Sequence, residues 1–261
     1  MISLKLSSAN LSKDIPIFLK KLYIKNNQNR CKMKIDLKEY LEHRDRFLME
    51  SKEPGPVITI SREFGCGATV ITRKLIQSLN EFEHKSPWKY ISKEIIYDSA
   101  RELKLSPAEV KRFLHPHDRN VVEDLLSSLT INFQVEQKKI MKTIRDVIYA
   151  YANLGNVIIL GQGGVAITKN IRQSLHVKII GPLDWRASQL SEKMGISFNE
   201  ARKRAVDHDH RRTLCIDHFM GRPTDYSIFD LILNASTLSV NEITNEILNM
   251  LEIRKMAKVP H

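Results

Sequence analysis

Val57-Ile58-Thr59-Ile60-Ser61-Arg62-Glu63-Phe64-Gly65-Cys66-Gly67-Ala68-Thr69 is the stretch on which the reading of this chain turns. Val57 to Ile60 is a short apolar run of the kind that fills a buried strand, and Thr69 to Phe82 carries helical periodicity. Two glycines stand between them. Strand, glycine turn and helix in that order form a phosphate-binding loop, in which backbone N–H groups at a helix start face phosphate oxygens. Laid on this chain, GxxxxGK[ST] puts its last glycine at Gly67, its lysine at Ala68, its hydroxyl at Thr69 and its first glycine at Arg62. The lysine is absent, and the motif by itself fits a tight strand-to-helix turn equally well.

Working outward, the same alternation repeats. A short strand near Lys89 to Ile91 precedes a helix from Lys93 to Leu103, and Ser106-Pro107-Ala108-Glu109 has the cap, proline and acidic first turn that start a helix toward His115. A long helical region follows from about Arg119 to Ala152, with a candidate break near Asn132. Strand Asn156 to Leu160, a Gly161-Gln162-Gly163-Gly164 turn, strand His176 to Ile180 and helix Leu183 to Met194 come next. Ser197-Phe198-Asn199-Glu200 has capping-box spacing and opens a charged helix to about Leu214, and strand Phe229 to Leu233 and helix Val240 to Ile253 end the pattern. Strands alternating with helices predict an α/β fold with a parallel sheet.

The breaker cluster Pro54-Gly55-Pro56 divides the chain into an N-terminal extension, residues 1–54, and one domain, residues 55–255. Residues 1–52 hold 12 Lys/Arg against 6 Asp/Glu, so more than half of the net charge of +11 belongs to the extension. That charge invites nucleic acid, yet the aromatics there, Phe18, Tyr23, Tyr40 and Phe47, fall on amphipathic faces that more simply pack on the domain or on a second subunit. Nucleic acid is therefore not expected as a partner, while a homodimer through the long helical insertion is a candidate. Apolar runs such as Val157 to Leu160 fall far short of the roughly 20 residues that span a bilayer. With no secretory pattern either, the expected location is the cytoplasm, with no membrane partner. Cys31, Cys66 and Cys215 are widely spaced and odd in number, which reads as free thiols.

The opening stretch resembles the first motif of the cytidylate kinase-like family, which reads ITISR, an acidic or amide residue, an aromatic and GSGG, and which also tends to lack the lysine. The likeness continues at Trp88 to Glu94, Val157 to Gly164, Pro182-Leu183-Asp184-Trp185-Arg186, Asp209 to Gly221, and Phe229 to Asn234. It implies the nucleoside monophosphate kinase version of the three-layer P-loop NTPase fold, with a five-stranded parallel sheet and a mobile helical lid at about residues 197–224. It also implies phosphoryl transfer from ATP, with Mg²⁺, to a nucleoside monophosphate, CMP or dCMP above others.

On that reading Gly65, Cys66, Gly67, Ala68 and Thr69 hold the donor phosphates, and Thr69 touches the magnesium that ATP carries. Because phosphoryl transfer needs cations aimed at the migrating group, Arg62, Arg204 and Arg212 are the catalytic candidates, with Arg62 expected to reach in for the missing lysine and Lys74 a weaker substitute. Lys93, Gln162, Arg186 and Asp209 are the candidates for the acceptor; Asp209 is read as orienting an arginine and Arg202 as solvated. The sequence departs from the family at Gln162, which replaces a turn arginine, and at Phe219 and Met220, which replace tyrosine and threonine. These departures keep open a second reading, a nucleotide-binding protein of kinase fold with little or no catalysis. Asp207-His208-Asp209-His210, with Cys215 and His218, contains metal-ligand residue types, but on a helix His208 and His210 point about 200° apart, too far for one metal.

Overall fold

The computed structural model describes residues 55–83, 86–114 and 131–257. Readings placed on the N-terminal extension, on His115 at the end of its helix, and on the first part of the long helical insertion lie outside the described residues. Within them the elements run β1 (Val57–Arg62), α1 (Ala68–Phe82), β2 (Lys89–Ile91), α2 (Lys93–Leu103), α3 (Pro107–Leu114), α4 (Ile131–Leu154), β3 (Val157–Leu160) and α5 (Gly164–Thr168). They continue with β4 (Ser174–Ile180), α6 (Leu183–Met194), α7 (Phe198–Met220), a 3₁₀ turn at Tyr226–Ile228, β5 (Leu231–Asn234) and α8 (Val240–Ile253).

All five strands are parallel, in the order β2-β3-β1-β4-β5. Because successive side chains of a strand point to opposite faces, the apolar residues of β1 and β3 divide between two cores. Val57, Val157 and Ile159 pack with Ile95, Ile144, Val147 and Ile148 of α2 and α4, while Ile58, Ile60, Ile158 and Leu160 pack with Ile71, Leu75, Ile243 and Ile247 of α1 and α8. Helices on both faces make three layers. With β1 central and its neighbours reached in opposite directions, the carboxyl ends of β1, β3 and β4 form the crevice where open α/β sheets bind ligands.

Local signals set several boundaries. Ser106 and Glu109 cap each other's backbone N–H groups at the start of α3, at 3.2 and 2.7 Å, as the sequence predicts. Ser197 accepts the Glu200 N–H at 3.2 Å, but the Glu200 carboxylate turns to Arg204, so the second half of that box is not made. The charged helix expected to stop near Leu214 runs on to Met220 and ends at Gly221 in the left-handed conformation, φ 69°. Cys215, Ile216 and Phe219 supply the reason: they join the core with α2 and α4, and no breaker intervenes. The segment expected to be a lid thus contains one continuous helix packed on α5 and α6. The glycine turn after β3 likewise leads into α5, a short buried helix that the sequence reading passed over.

Candidate active site

The loop after β1 has the conformation its glycines allow. Gly65 and Gly67 have φ of 100° and 66°, and Gly67 is the left-handed residue at the N-terminus of α1. Among the described residues, nothing accepts a hydrogen bond from the backbone N–H groups of Gly67, Ala68 or Thr69, and Gly67 and Thr69 are exposed. Unpaired amides at the start of a 15-residue helix suit an anion. Cys66 contributes backbone and packing, since its side chain is buried and burial pushes the thiol up to about 12.

Behind the loop sits a network of charges spent on the protein itself. Arg186 of α6, 5% exposed, donates from Nε to the Gly181 carbonyl at 2.8 Å and from Nη1 to the Phe64 carbonyl at 3.0 Å and to Asp209 Oδ2 at 2.7 Å. Glu63 Oε2 lies 3.4 Å from Arg186 Nε and accepts the Gly181 N–H at 3.0 Å. Asp209 Oδ1 accepts the Phe64 N–H at 2.6 Å; burial raises its carboxyl, against the pull of that N–H and of Arg186. Phe64 stacks on His208 at 4.2 Å between ring centroids, and the Arg212 guanidinium lies 5.4 Å from its other neighbour, the Phe64 ring centroid. Arg186, read from sequence as an acceptor ligand, is in fact the tie between loop, β4 and α7. Asp209, also read as an acceptor candidate, has its carboxylate engaged by Arg186 and the Phe64 N–H.

Beside the loop, and not over it, a cleft of about 240 Å³ opens at the carboxyl ends of β1 and β3 under α7. Its walls include Ser61, Arg62 and Glu63, the turn Gly161-Gln162-Gly163, Lys178 of β4, Lys111 of α3, Arg211, Arg212 and Cys215 of α7, and Tyr226. Arg62 does not reach toward Gly67. Its guanidinium lies across the β3 turn, so that a Cβ at Gly161, φ 80°, would fall 1.8 Å from Nη1. Arg212 donates to the Arg62 carbonyl at 3.1 Å and lies 3.7 Å from Asp209 Oδ1. Burial, and then the neighbouring Arg212 charge, pull the Arg62 pKa down to about 9, which leaves it cationic at neutral pH. Gln162, φ 57°, holds a buried Oε1 with no hydrogen-bond partner among the described residues. Lys178 Nζ stands 4.4 Å from the Tyr226 ring centroid, and Tyr226 is 57% exposed.

The remaining candidates stay outside the cleft. Arg204 pairs with Glu200 on an exposed face, Arg202 with Asp184 at 3.0 Å, and Lys74 with Asn241 of α8. Lys93 is exposed at the start of α2, next to Ser92, whose hydroxyl donates to the Leu160 carbonyl at 3.2 Å. Among the described residues no group of three His, Cys, Asp or Glu side chains is placed to hold a metal ion. The exposed Thr69, next to the unpaired amides of the loop, is the hydroxyl that would meet a metal ion carried in on a bound phosphate. The sequence reading missed Lys178 and Tyr226. A lysine inside the buried parallel strand Ser174–Ile180 breaks the apolar run expected there, a signal that was available.

A glycine loop at the switch point of a five-stranded parallel sheet, flanked by an arginine-lined cleft, defines an α/β fold of the P-loop kinase type. The chain belongs to the cytidylate kinase-like family, whose model matches residues 57–237. Membership supports a kinase-type phosphotransferase acting on nucleotide-like substrates. An uncharacterised protein from Eubacterium ventriosum is similar in structure, with TM-score 0.54, 18% identity, and coverage of 76% of this chain and 98% of that one. A shikimate kinase from Bacteroides thetaiotaomicron aligns with TM-score 0.45, 14% identity, and coverage of 76% and 98%. At these identities the likeness concerns the fold. A curated relative, the uronate isomerase of Corynebacterium glutamicum, is 22% identical over 142 residues, which is 54% of this chain and 27% of that protein's length. None of the described helices is long and apolar enough to cross a membrane.

Proposed function

We propose that the protein transfers the γ-phosphoryl group of ATP to a nucleoside monophosphate, with CMP and dCMP the preferred acceptors. The supporting observation is the pairing of a free amide nest with a cleft whose two carboxylates, Glu63 and Asp209, are both held by Arg186. Arg62, on the cleft wall, has no ion-pair partner among the described residues and is left for substrate phosphate. The N–H groups of Gly67, Ala68 and Thr69 take the donor phosphates, and Arg62 and Arg212 supply positive charge from the cleft side. Magnesium bound to ATP neutralises β- and γ-phosphate charge. An oxygen of the acceptor phosphate attacks the γ-phosphorus, the bond from that phosphorus to the bridging oxygen breaks, and ADP leaves with the electron pair. No proton has to move, so the site needs position and charge and no general base.

One observation favours a second reading, nucleotide binding with little or no turnover: Ala68 and Gln162 leave two usual cationic positions neutral. A coupled assay of ADP formation across all ribo- and deoxyribonucleoside monophosphates separates the two. Turnover highest with CMP or dCMP supports the kinase. ATP binding in calorimetry with no ADP formed from any acceptor supports the second reading.

A further inference from the structure

Arg62 and Arg212 come together with no carboxylate assigned to Arg62. Its ion-pair partners among the described residues number none, whereas Arg212 has Asp209 at 3.7 Å, a carboxylate already committed to Phe64 and Arg186. Cys215, the other group acting on Arg62, is fully buried, with a thiol pushed up to about 12, and is therefore neutral at pH 7. Two largely buried guanidinium groups on the wall of one cleft, where the Asp209 carboxylate is shared among Arg186, Arg212 and Phe64, favour an anion in that cleft. The fold makes room for this arrangement: Gly161 has no Cβ where Arg62 Nη1 passes, and Gln162 beside it leaves its own acceptor unpaired. The charge that Gln162 does not bring to the β3 turn is delivered there by Arg62 from the next strand.

We infer that Arg62 and Arg212 form a two-guanidinium clamp on the phosphate of the acceptor nucleotide, at the turn after β3, so that Arg62 is an acceptor-side catalytic cation and no surrogate for the missing lysine of the donor loop. This rests on the kinase reading for its reaction but not for its binding. The Arg62 guanidinium lies against Gly161 in the turn after β3, where a Cβ would fall 1.8 Å from Nη1, and a Cβ at Gly67 would meet no Arg62 atom within 4 Å. A guanidinium presents its donors in a planar fork, so each arginine can take two phosphate oxygens. Held in this way, the acceptor phosphate keeps a free oxygen directed at the donor loop.

The test uses the full chain as wild type, Arg62→Gln and Arg212→Gln, titrated by calorimetry with CMP, with inorganic phosphate and with ATP, and melted without ligand. The clamp requires CMP and phosphate to bind about 10- to 100-fold more weakly in both variants, with ATP affinity within about twofold of wild type. It also requires the ligand-free Arg62→Gln protein to melt no lower than wild type, and about 3–6 °C higher if the relieved repulsion is worth a tenfold change in the folding constant. CMP and phosphate affinities unchanged in Arg62→Gln overturn the clamp, as do ATP binding lost with CMP binding intact, or a wild type that binds neither CMP nor phosphate. Weakened CMP binding in a protein that forms no ADP with any acceptor leaves the clamp standing and rejects the kinase reading instead.

Discussion

The carboxylate of Asp209 accepts the backbone N–H of Phe64 at 2.6 Å and the Arg186 guanidinium at 2.7 Å, so a single side chain of α7 is fastened both to the phosphate loop and to α6. Asp209 and Phe64 are 145 positions apart, so this contact joins parts of the chain that only the completed fold brings together. It seats α7, in the segment read from sequence as a lid, on the phosphate loop, with Asp209 Oδ1 also 3.7 Å from Arg212 Nη1.

Asp209→Asn therefore loosens the loop. The amide can still accept the Phe64 N–H, but Arg186, 5% exposed, keeps only Glu63 as a counter-charge. The expected loss is about 1–3 kcal/mol of stability, because a buried charge left short of partners costs more than the lost bond itself. Urea unfolding should show a lower midpoint at unchanged slope.

Gly161→Ala tests the geometry of the cleft without touching a charge. At φ 80° the new side chain is strained, by about 1 kcal/mol or more, and its Cβ lands on Arg62 Nη1. CMP affinity should fall by about as much as in Arg62→Gln, an order of magnitude or more, with ATP affinity preserved. Arg204→Ala is the contrast: its side chain pairs with Glu200 away from the cleft, and kcat/KM should remain within about threefold of wild type.

His176 makes the stability of the fold depend on pH. It is buried on β4 with Nδ1 2.8 Å from Thr59 Oγ1 and Nε2 3.1 Å from Ser174 Oγ, and burial lowers its pKa from 6.5, with Asp230 raising it and Arg254 lowering it further. The folded state thus resists a proton that the unfolded chain accepts. Stability from this residue is complete above pH 6.5 and falls as the pH drops below that value toward the lower folded pKa, by up to about 1.4 kcal/mol per pH unit. Unfolding free energies measured from pH 8 to 5 should show this slope in the wild type and a shallower one in His176→Gln.

Tyr151→Phe removes the hydroxyl that donates to Asp98 Oδ2 at 2.5 Å from the middle of the core between α2 and α4. Asp98 is 8% exposed and keeps Arg101, at 2.6 Å on Oδ1. One oxygen of a buried carboxylate is left without its donor, and about 1–3 kcal/mol should be lost in denaturant unfolding. The Tyr151 phenol is held well above its ordinary pKa by burial and then by Asp98, so in the wild type it should not ionise before the protein unfolds in alkali.

What the sequence by itself determined was the order of strands and helices, the parallel sheet, and the glycine loop, because those depend on local patterns. Apolar runs of strand length, positive-φ glycines and the reciprocal cap of Ser106 and Glu109 act over a few residues and are written next to each other. Charge assignment was different. Arg186, Arg204 and Arg212 look alike in a charged helix, yet one is buried as a tie, one is solvated against Glu200, and one faces the cleft. Burial and counter-charge come from Phe64, Glu63 and Gly181 on other elements, and the room for the Arg62 guanidinium at the β3 turn comes from the missing Cβ of Gly161, nearly a hundred residues away in the chain. The energy of a charge depends on what surrounds it in space, so the tertiary structure alone separated the cations available to a substrate from those already spent on the protein.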